Sequence, residues 1–255
     1  MKALILAAGY GTRLYPLTIN LPKPLLLVDK RPMINFLLDK ISAIKEIKEI
    51  FVVTNDKFFL LFEDWLVNIE KNFKHLRIKI INDGSRTPSD RLGAIGDIQF
   101  AISQEKIRDD LLVLGGDNLF DFGVDDFIRF SRERSPQVSV GLFDIRSKKE
   151  AIKFGVAEID KDYRIVSFAE KPKQPRSTLI AMCLYYFPKV SLGRIKEYLR
   201  SKNQKDASGN YINWLHRKKE AYGYVFKGNW FDIGHMDSYS KAKEVFNNYT
   251  KGVKR

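Results

Sequence analysis

Gly9, Gly11, Arg13 and Lys23 stand in one stretch that follows an apolar run over residues 3–8. A run of that length reads as a buried strand, and glycines just beyond it let backbone N–H groups approach an anion without side-chain interference. Two cations in the same loop suit a polyphosphate. Particular residues exclude the two commonest loops of this kind. A dinucleotide fingerprint requires a third glycine where Leu14 stands, and a Walker loop requires Gly-Lys-Ser/Thr where Gly11-Thr12-Arg13 stands. Pro16, Pro22 and Pro24 keep a helix from running out of the glycines, so the stretch to Leu26 is expected to be a long irregular loop able to wrap a triphosphate. Taken alone, a Gly-x-Gly with nearby cations reads equally well as a surface turn.

Two carboxylates farther along carry a second chemistry. Asp117 follows a buried-strand pattern in Leu114-Gly115-Gly116-Asp117-Asn118, where the glycines leave a ligand room beside the backbone. Asp232 lies between Phe231 and Ile233 and ahead of Gly234, and a carboxylate in so apolar a segment is costly unless paired, metal-bound or turn-forming. Mg2+ takes one or two carboxylates together with substrate phosphates and waters, so two aspartates from distant segments suffice. Read singly, Asp117 is a turn carboxylate or helix N-cap and Asp232 a structural ion pair. Beside the glycine loop, both are assigned to Mg2+.

The elements that must position these groups alternate. Pro32 suits a first helical position, and Met33, Ile34, Leu37, Leu38, Ile41 and Ile44 repeat at helical spacing. Strands are expected at 50–53, 78–81 and 111–114, with helices at 58–69 and 95–102 between them. Such alternation predicts an α/β fold in three layers, with a mostly parallel twisted sheet between helices and a crevice at the carboxyl ends of the strands. Gly9 and Asp117 both fall at strand ends. Beyond Ser135 the pattern changes to strands at 138–143, 156–159, 165–168 and 179–187 with few helices, which predicts a mixed-sheet extension. Helices return at 191–200 and 236–249, the latter with Tyr239, Ala242, Val245, Phe246 and Tyr249 on one side, and 251–255 is expected to fray.

Composition narrows the class. The balance of 44 Lys and Arg against 31 Asp and Glu, a net +13, admits nucleic acid, an anionic membrane or phosphorylated small molecules as partners. The basic clusters at 148–149, 202–205, 217–219 and 251–255 lack the aromatic interleaving of a base-stacking platform and read as solvated surface. Cys183 is the only cysteine, so an intramolecular disulfide is excluded. His75, His216 and His235 are scattered without zinc spacing, and each reads as structural. No apolar stretch is long enough for a signal core or membrane span, which predicts a cytoplasmic protein. Without a linker or internal repeat, one domain over 1–255 is expected.

The run Leu6-Ala7-Ala8-Gly9-Tyr10-Gly11-Thr12-Arg13-Leu14-Tyr15-Pro16-Leu17-Thr18, followed by Leu21-Pro22-Lys23-Pro24-Leu25, resembles the signature of the sugar-phosphate nucleotidyltransferases, the family of glucose-1-phosphate thymidylyltransferase. The resemblance continues in Gly116-Asp117-Asn118, Phe154-Gly155-Val156, Glu170-Lys171-Pro172 and Trp230-Phe231-Asp232-Ile233-Gly234. It implies a Rossmann-like nucleotidyltransferase fold in which 1–135 mainly binds nucleotide, 136–235 mainly binds the sugar phosphate, and 236–255 is a C-terminal helix and tail. It also implies that the appended repeat or acyltransferase domain of some longer members is lacking. The implied reaction is Mg2+-dependent attack of a sugar 1-phosphate on the α-phosphorus of an NTP, giving an NDP-sugar and pyrophosphate, with glucose 1-phosphate and dTTP or UTP as substrates. Both reactants are anions, so cations and a divalent metal must offset their repulsion and hold them in line.

Residue by residue, the resemblance implies nucleotide binding by Leu6, Ala8, Gly9, Gly11, Thr12, Arg13 and Lys23, with Asn82 and Gly93 toward the base and Asp117 toward the phosphates. Arg13, whose planar fork suits the departing pyrophosphate, is assigned with Lys23 and Lys171 to catalysis. Asn118, Gly155, Glu170 and Lys171 are assigned to the sugar phosphate, and Asp117 and Asp232 to Mg2+. Three stretches depart from the pattern. Segment 83–91 is longer than in typical thymidylyltransferases, Cys183 stands where many relatives have glycine, and Ala207-Ser208-Gly209-Asn210-Tyr211 replaces an acidic helix start. These leave the base and the sugar open. The expected partners are an NTP and a sugar 1-phosphate, with no nucleic acid and no membrane, and self-association into a homo-oligomer stays open. Two alternatives share the fold: a cytidylyltransferase acting on phosphocholine or another non-sugar phosphate, and a catalytically silent regulatory paralogue, which would lack one of the catalytic cations or carboxylates.

Overall fold

The structure, a computed structural model, describes residues 1–201 and 208–252, with side chains to 246. The basic run 202–205, Ala207 and the tail 253–255, on which expectations were placed, lie outside the described residues, as does the Tyr249 side chain. In chain order the strands are β1 (Lys2–Leu6), β2 (Leu27–Val28), β3 (Arg31–Pro32), β4 (Glu49–Thr54), β5 (Arg77–Asn82), β6 (Leu111–Gly115), β7 (Asn118–Phe120), β8 (Val138–Asp144), β9 (Gly155–Ile159), β10 (Ile165–Glu170), β11 (Leu179–Phe187), β12 (Ala221–Phe226) and β13 (Trp230–Asp232). The α-helices are α1 (Met33–Ser42), α2 (Phe59–Ile69), α3 (Ala94–Gln104), α4 (Asp125–Arg132), α5 (Lys148–Ala151), α6 (Gly193–Arg200), α7 (Ser208–Arg217) and α8 (Met236–Gly252).

The fold is α/β, as the alternation predicts. Nine strands share one sheet in the order β10-β9-β11-β6-β1-β4-β5, with β8 joined through β11 and β12 through β8. β4 and β5 are parallel, as are β8 and β12, whereas β11 is antiparallel to β6, β8 and β9, and β10 to β9. The second half is therefore the mixed sheet read from its closely spaced strands. It also holds α5, α7 and β12, which the periodicity did not reveal. No helix among the described residues is long and apolar enough to cross a membrane.

The chain forms two compact units. One comprises Ile5–Arg91, Gly115–Phe122 and Gly228–Arg255. Leu14, Leu26, Val28, Met33, Phe36, Leu119, Ile233, Ala242 and Phe246 bury together in it, with Leu21, Phe231 and Tyr239 packed alongside. This cluster sets the path of the polar residues between them. Leu14 is wholly buried while its neighbour Arg13 is exposed, and Ile233 is wholly buried beside Asp232. Burying one such apolar side chain contributes ~1.5–3 kcal/mol, more than an exposed charge gains by any single contact, so the apolar neighbours anchor the chain and the charges follow. The long loop is thus ordered, with 3₁₀ turns at Thr12–Leu14 and Lys23–Leu25.

The other unit comprises Met1–Leu4, Leu92–Leu114 and Gly123–Lys227. Its β11 carries a register shift between Ala181 and Tyr185 against β8, and Cys183, inside that shift, takes φ 55°. The Tyr198, Tyr211 and Trp214 rings pack at centroid distances of 5.0–5.9 Å and fasten α6 to α7. α7 also packs on β10, which brings its first residues to the end of that strand.

Candidate active site

In the first unit, β1 ends at Leu6, and Ala7 still bonds to Val53 O while Ala8 O accepts from Asn55 Nδ2. The two glycines that follow differ in what they do. A Cβ on Gly9 would meet nothing within 4 Å. Gly11 has φ +66°, and a Cβ there would lie 3.1 Å from both Lys23 Cγ and Thr18 Cβ. Thr18 Oγ1 donates to Gly11 O at 2.7 Å, closing the loop upon itself. By sequence the glycine pair makes room for an anion. For Gly11 the structure supplies another reason, a left-handed turn against Lys23 and Thr18. Tyr10 between them is buried, its ring 6.4 Å from that of Phe58, and burial pushes its phenol above the usual value.

Asp117 and Asp232, distant in sequence, come to one place. β7 and β13 form an antiparallel ribbon in which Asp232 pairs with Asn118, and Ile233 N donates to Asp117 O at 3.0 Å. Gly116, just after β6, lies close against the end of β1: its N–H donates to Leu6 O at 2.8 Å, and a Cβ on it would sit 2.7 Å from that oxygen. Lys23 is buried with its Nζ 3.3 Å from Asp117 Oδ2. Arg13 reaches the same corner: a Cβ on Gly234 would be 3.4 Å from Asp232 Oδ2 and 3.7 Å from Arg13 Nη2. Arg13 Nη1 also lies 3.2 Å from His235 Nε2. His235, read from sequence as a structural histidine, thus belongs with Arg13. Its adjacency to the Asp232-Ile233-Gly234 run was the available signal. Asn118 is buried, accepting from Trp230 Nε1 at 2.6 Å and lying 3.4 Å from Asp117 Oδ1, so its amide supports Asp117 from below.

The donor chemistry of the two aspartates suits a hard cation: both are carboxylates at adjacent backbone positions of one ribbon, and Lys23 lies beside Asp117. Among the described residues no group of three or more His, Cys, Asp or Glu could hold a metal, so a cation here would complete its shell with phosphates and water. Thr12 is exposed at the start of the 3₁₀ turn. Asn82 ends β5, where its Nδ2 donates to Asp56 Oδ1 at 2.8 Å and its Oδ1 accepts from Gly84 N at 2.9 Å. The following 83–91 segment is tied by Asp90, which accepts from the Arg86 and Thr87 N–H groups. Those bonds hold its carboxyl below the usual range.

In the second unit Gly93 caps α3 with φ 76°. Glu170 closes β10 opposite Gly155 on β9. A Cβ on Gly155 would lie 2.6 Å from Phe168 Cζ and 2.9 Å from Glu170 Oε2, so this glycine makes room for those side chains first. Gly209, in the first turn of α7, faces the same carboxylate, and a Cβ there would fall within it. Glu170 is lodged between two glycines, and burial raises its pKa despite the opposing pull of Lys171. Lys171 takes φ 46°, and its Nζ stays exposed at 3.9 Å from Glu170 Oε1. Tyr185 donates to Ser208 Oγ at 2.8 Å beside this slot. Gly209, Ser208 and Tyr185 carried no assignment from sequence, because nothing in the string links them to Glu170.

A family model described as nucleotidyl transferase matches residues 2–248. The bifunctional protein GlmU of Methanocaldococcus jannaschii is 26% identical over 234 residues, 92% of this chain and 51% of that protein. The chain therefore spans about half the length of that curated relative. A Bacillus anthracis protein assigned as a glucose-1-phosphate thymidylyltransferase, crystallised with sucrose, matches with a TM-score of 0.82 and 23% identity, over 97% of this chain and 95% of the other. At that identity the likeness concerns the fold. The model match runs from β1 into α8 and takes in the loop, the ribbon and the Glu170 slot alike: this chain belongs to the nucleotidyl transferase family.

Proposed function

We propose that the protein transfers a nucleotidyl group from an NTP to a sugar 1-phosphate in a Mg2+-dependent reaction, releasing pyrophosphate, with glucose 1-phosphate and dTTP or UTP as the substrates. The observation that carries this reading is the corner where Lys23, Asp117, Asp232 and Arg13 converge beside an ordered glycine loop. Arg13 grips the β- and γ-phosphates, and its fork stays with the pyrophosphate as charge builds on it. Lys23 neutralises charge at Asp117 and at the reacting phosphates. Asp117 and Asp232 would hold Mg2+, which when bound supplies charge neutralisation and alignment. Gly9 leaves its backbone N–H open to the triphosphate, with Leu6, Ala8 and Thr12 lining the same loop. Asn82 and Gly93 serve the base. Glu170 accepts from a sugar hydroxyl, and Lys171, exposed and turned outward by its backbone, holds the sugar's phosphate.

Every catalytic cation and carboxylate named from sequence is present, which argues against a silent paralogue. The test is pyrophosphate release over a grid of NTPs and sugar 1-phosphates, with CTP and phosphocholine included. The proposal expects release that needs both substrates and is abolished by a chelator. Release only from CTP with phosphocholine, or none from any pair, would overturn it.

A further inference from the structure

Arg13 has a long side chain on an exposed 3₁₀ turn, yet its proposed task demands a fixed direction. Its Nη1 lies 3.2 Å from His235 Nε2. A guanidinium can only donate, so Nε2 must be the unprotonated acceptor and the ring proton must sit on Nδ1. The histidine is itself well held. Its N–H donates to Ser238 Oγ at 3.2 Å, while its carbonyl accepts from Ser238 Oγ at 2.9 Å and from Tyr239 N at 3.1 Å, at the start of α8. Tyr239 in turn donates its hydroxyl to Leu27 O at 2.6 Å. The contact is made through Nη1, one of the nitrogens of a guanidinium that carries five N–H donors.

We propose that His235 is a positioning residue, which through Nε2 holds the Arg13 fork toward the β- and γ-phosphates of the nucleotide. This rests on the nucleotidyl-transfer reading given above. His235 does not touch the reacting atoms, so its effect must pass through Arg13. A hydrogen bond between exposed groups adds little to stability, so variants at His235 should fold.

The experiment is a double-mutant cycle on pyrophosphate release, read as kcat and KM, with thermal melts as a control. His235→Ala should lower kcat about 10-fold and leave KM for the sugar phosphate unchanged, the scale expected when a catalytic group is slightly misdirected. His235→Gln, whose carbonyl oxygen is an acceptor of similar reach, should recover most of the loss. In an Arg13→Ala background His235→Ala should have no further effect, because the two act as one unit. Equal losses in both backgrounds, an unchanged kcat, or a failure of Gln to rescue at unchanged melting temperature would overturn the proposal. Ring 15N NMR judges the pair without turnover, and the chain has only three histidines to assign. The wild type should show an unprotonated Nε2 at His235 that shifts in Arg13→Ala. A protonated Nε2, or no shift, would sink the inference by itself. A wild type that releases no pyrophosphate would instead overturn the functional reading, and the positioning role with it, while the ring signals still decide whether the contact exists.

Discussion

Replacing Gly209 with alanine tests whether the first turn of α7 holds Glu170 in its slot. A Cβ on Gly209 falls within the Glu170 carboxylate, 2.8 Å from its Cδ, and lies 3.2 Å from Phe168 Cε1. Phe168 is 5% exposed and has nowhere to retreat, so Glu170 must swing out. Forcing atoms into a filled site costs ~1–3 kcal/mol, and alanine in a helix returns at most ~1 kcal/mol over glycine, less in a first turn. The net is a loss of roughly 1–2 kcal/mol, which for a chain of this size lowers Tm by roughly 2–8 °C. In a Glu170→Ala background the obstructing carboxylate is gone and only the 3.2 Å approach to Phe168 remains, so Gly209→Ala should there cost clearly less. Paired thermal melts of the four proteins read this directly. Steady-state assays should show KM rising for the sugar phosphate and unchanged for the NTP. An equal drop in Tm in both backgrounds would refute the reasoning, because the obstruction would then lie with Phe168 or the helix backbone.

The remaining predictions concern the loop, the aspartates and pH. Gly9→Ala should melt like the wild type, since its Cβ meets nothing within 4 Å, whereas Gly11→Ala should lose ~1–2 kcal/mol to its left-handed φ of +66°; thermal melts distinguish the two, and equal losses would contradict the assignment. Asp117→Asn should cut turnover at least about 100-fold while the protein stays folded, as circular dichroism would show, and near-normal turnover would remove Asp117 from the metal site. Glu170 has its pKa raised by burial above the ordinary 4.5, so the folded chain binds its proton more tightly than the unfolded chain. Stability from this group is therefore full below the ordinary carboxylate range and is lost as pH rises through the folded pKa. Glu170→Gln should accordingly melt higher than the wild type at neutral pH, with the advantage shrinking as pH falls toward 4.5; a difference independent of pH would contradict the burial effect.

Much of the scaffold was legible because its signals are local. Strands at 50–53, 78–81 and 111–114 appear as β4, β5 and β6, each extended by a residue or two, since a continuous apolar run bounded by polar residues has few other uses. The helix at 58–69 appears as α2 for the same reason. The β7–β13 ribbon was not legible as structure, because strands of three residues are too short to show alternation and their partners are far apart in the chain. Periodicity did not reveal α7, whose polar and aromatic composition has an apolar face that meets β10 only after the chain has folded; only the family resemblance pointed to a helix start at 207–211.

The sequence by itself determined that a glycine loop with two cations follows a buried strand, that two carboxylates stand in apolar segments, and that strands and helices alternate into an α/β sheet. These depend on residue type and near neighbours, which a string displays. Only the tertiary structure decided that Asp117 and Asp232 share a ribbon, that Gly11 turns against Lys23 rather than merely leaving space, that Glu170 is lodged between Gly155 and Gly209, and that His235 meets Arg13. Those in the loop and ribbon arise where buried neighbours such as Leu14, Leu119 and Ile233 gather distant segments into one cluster, and the Glu170 slot arises where α7 packs on β10; in both places the polar groups come together as a consequence of packing.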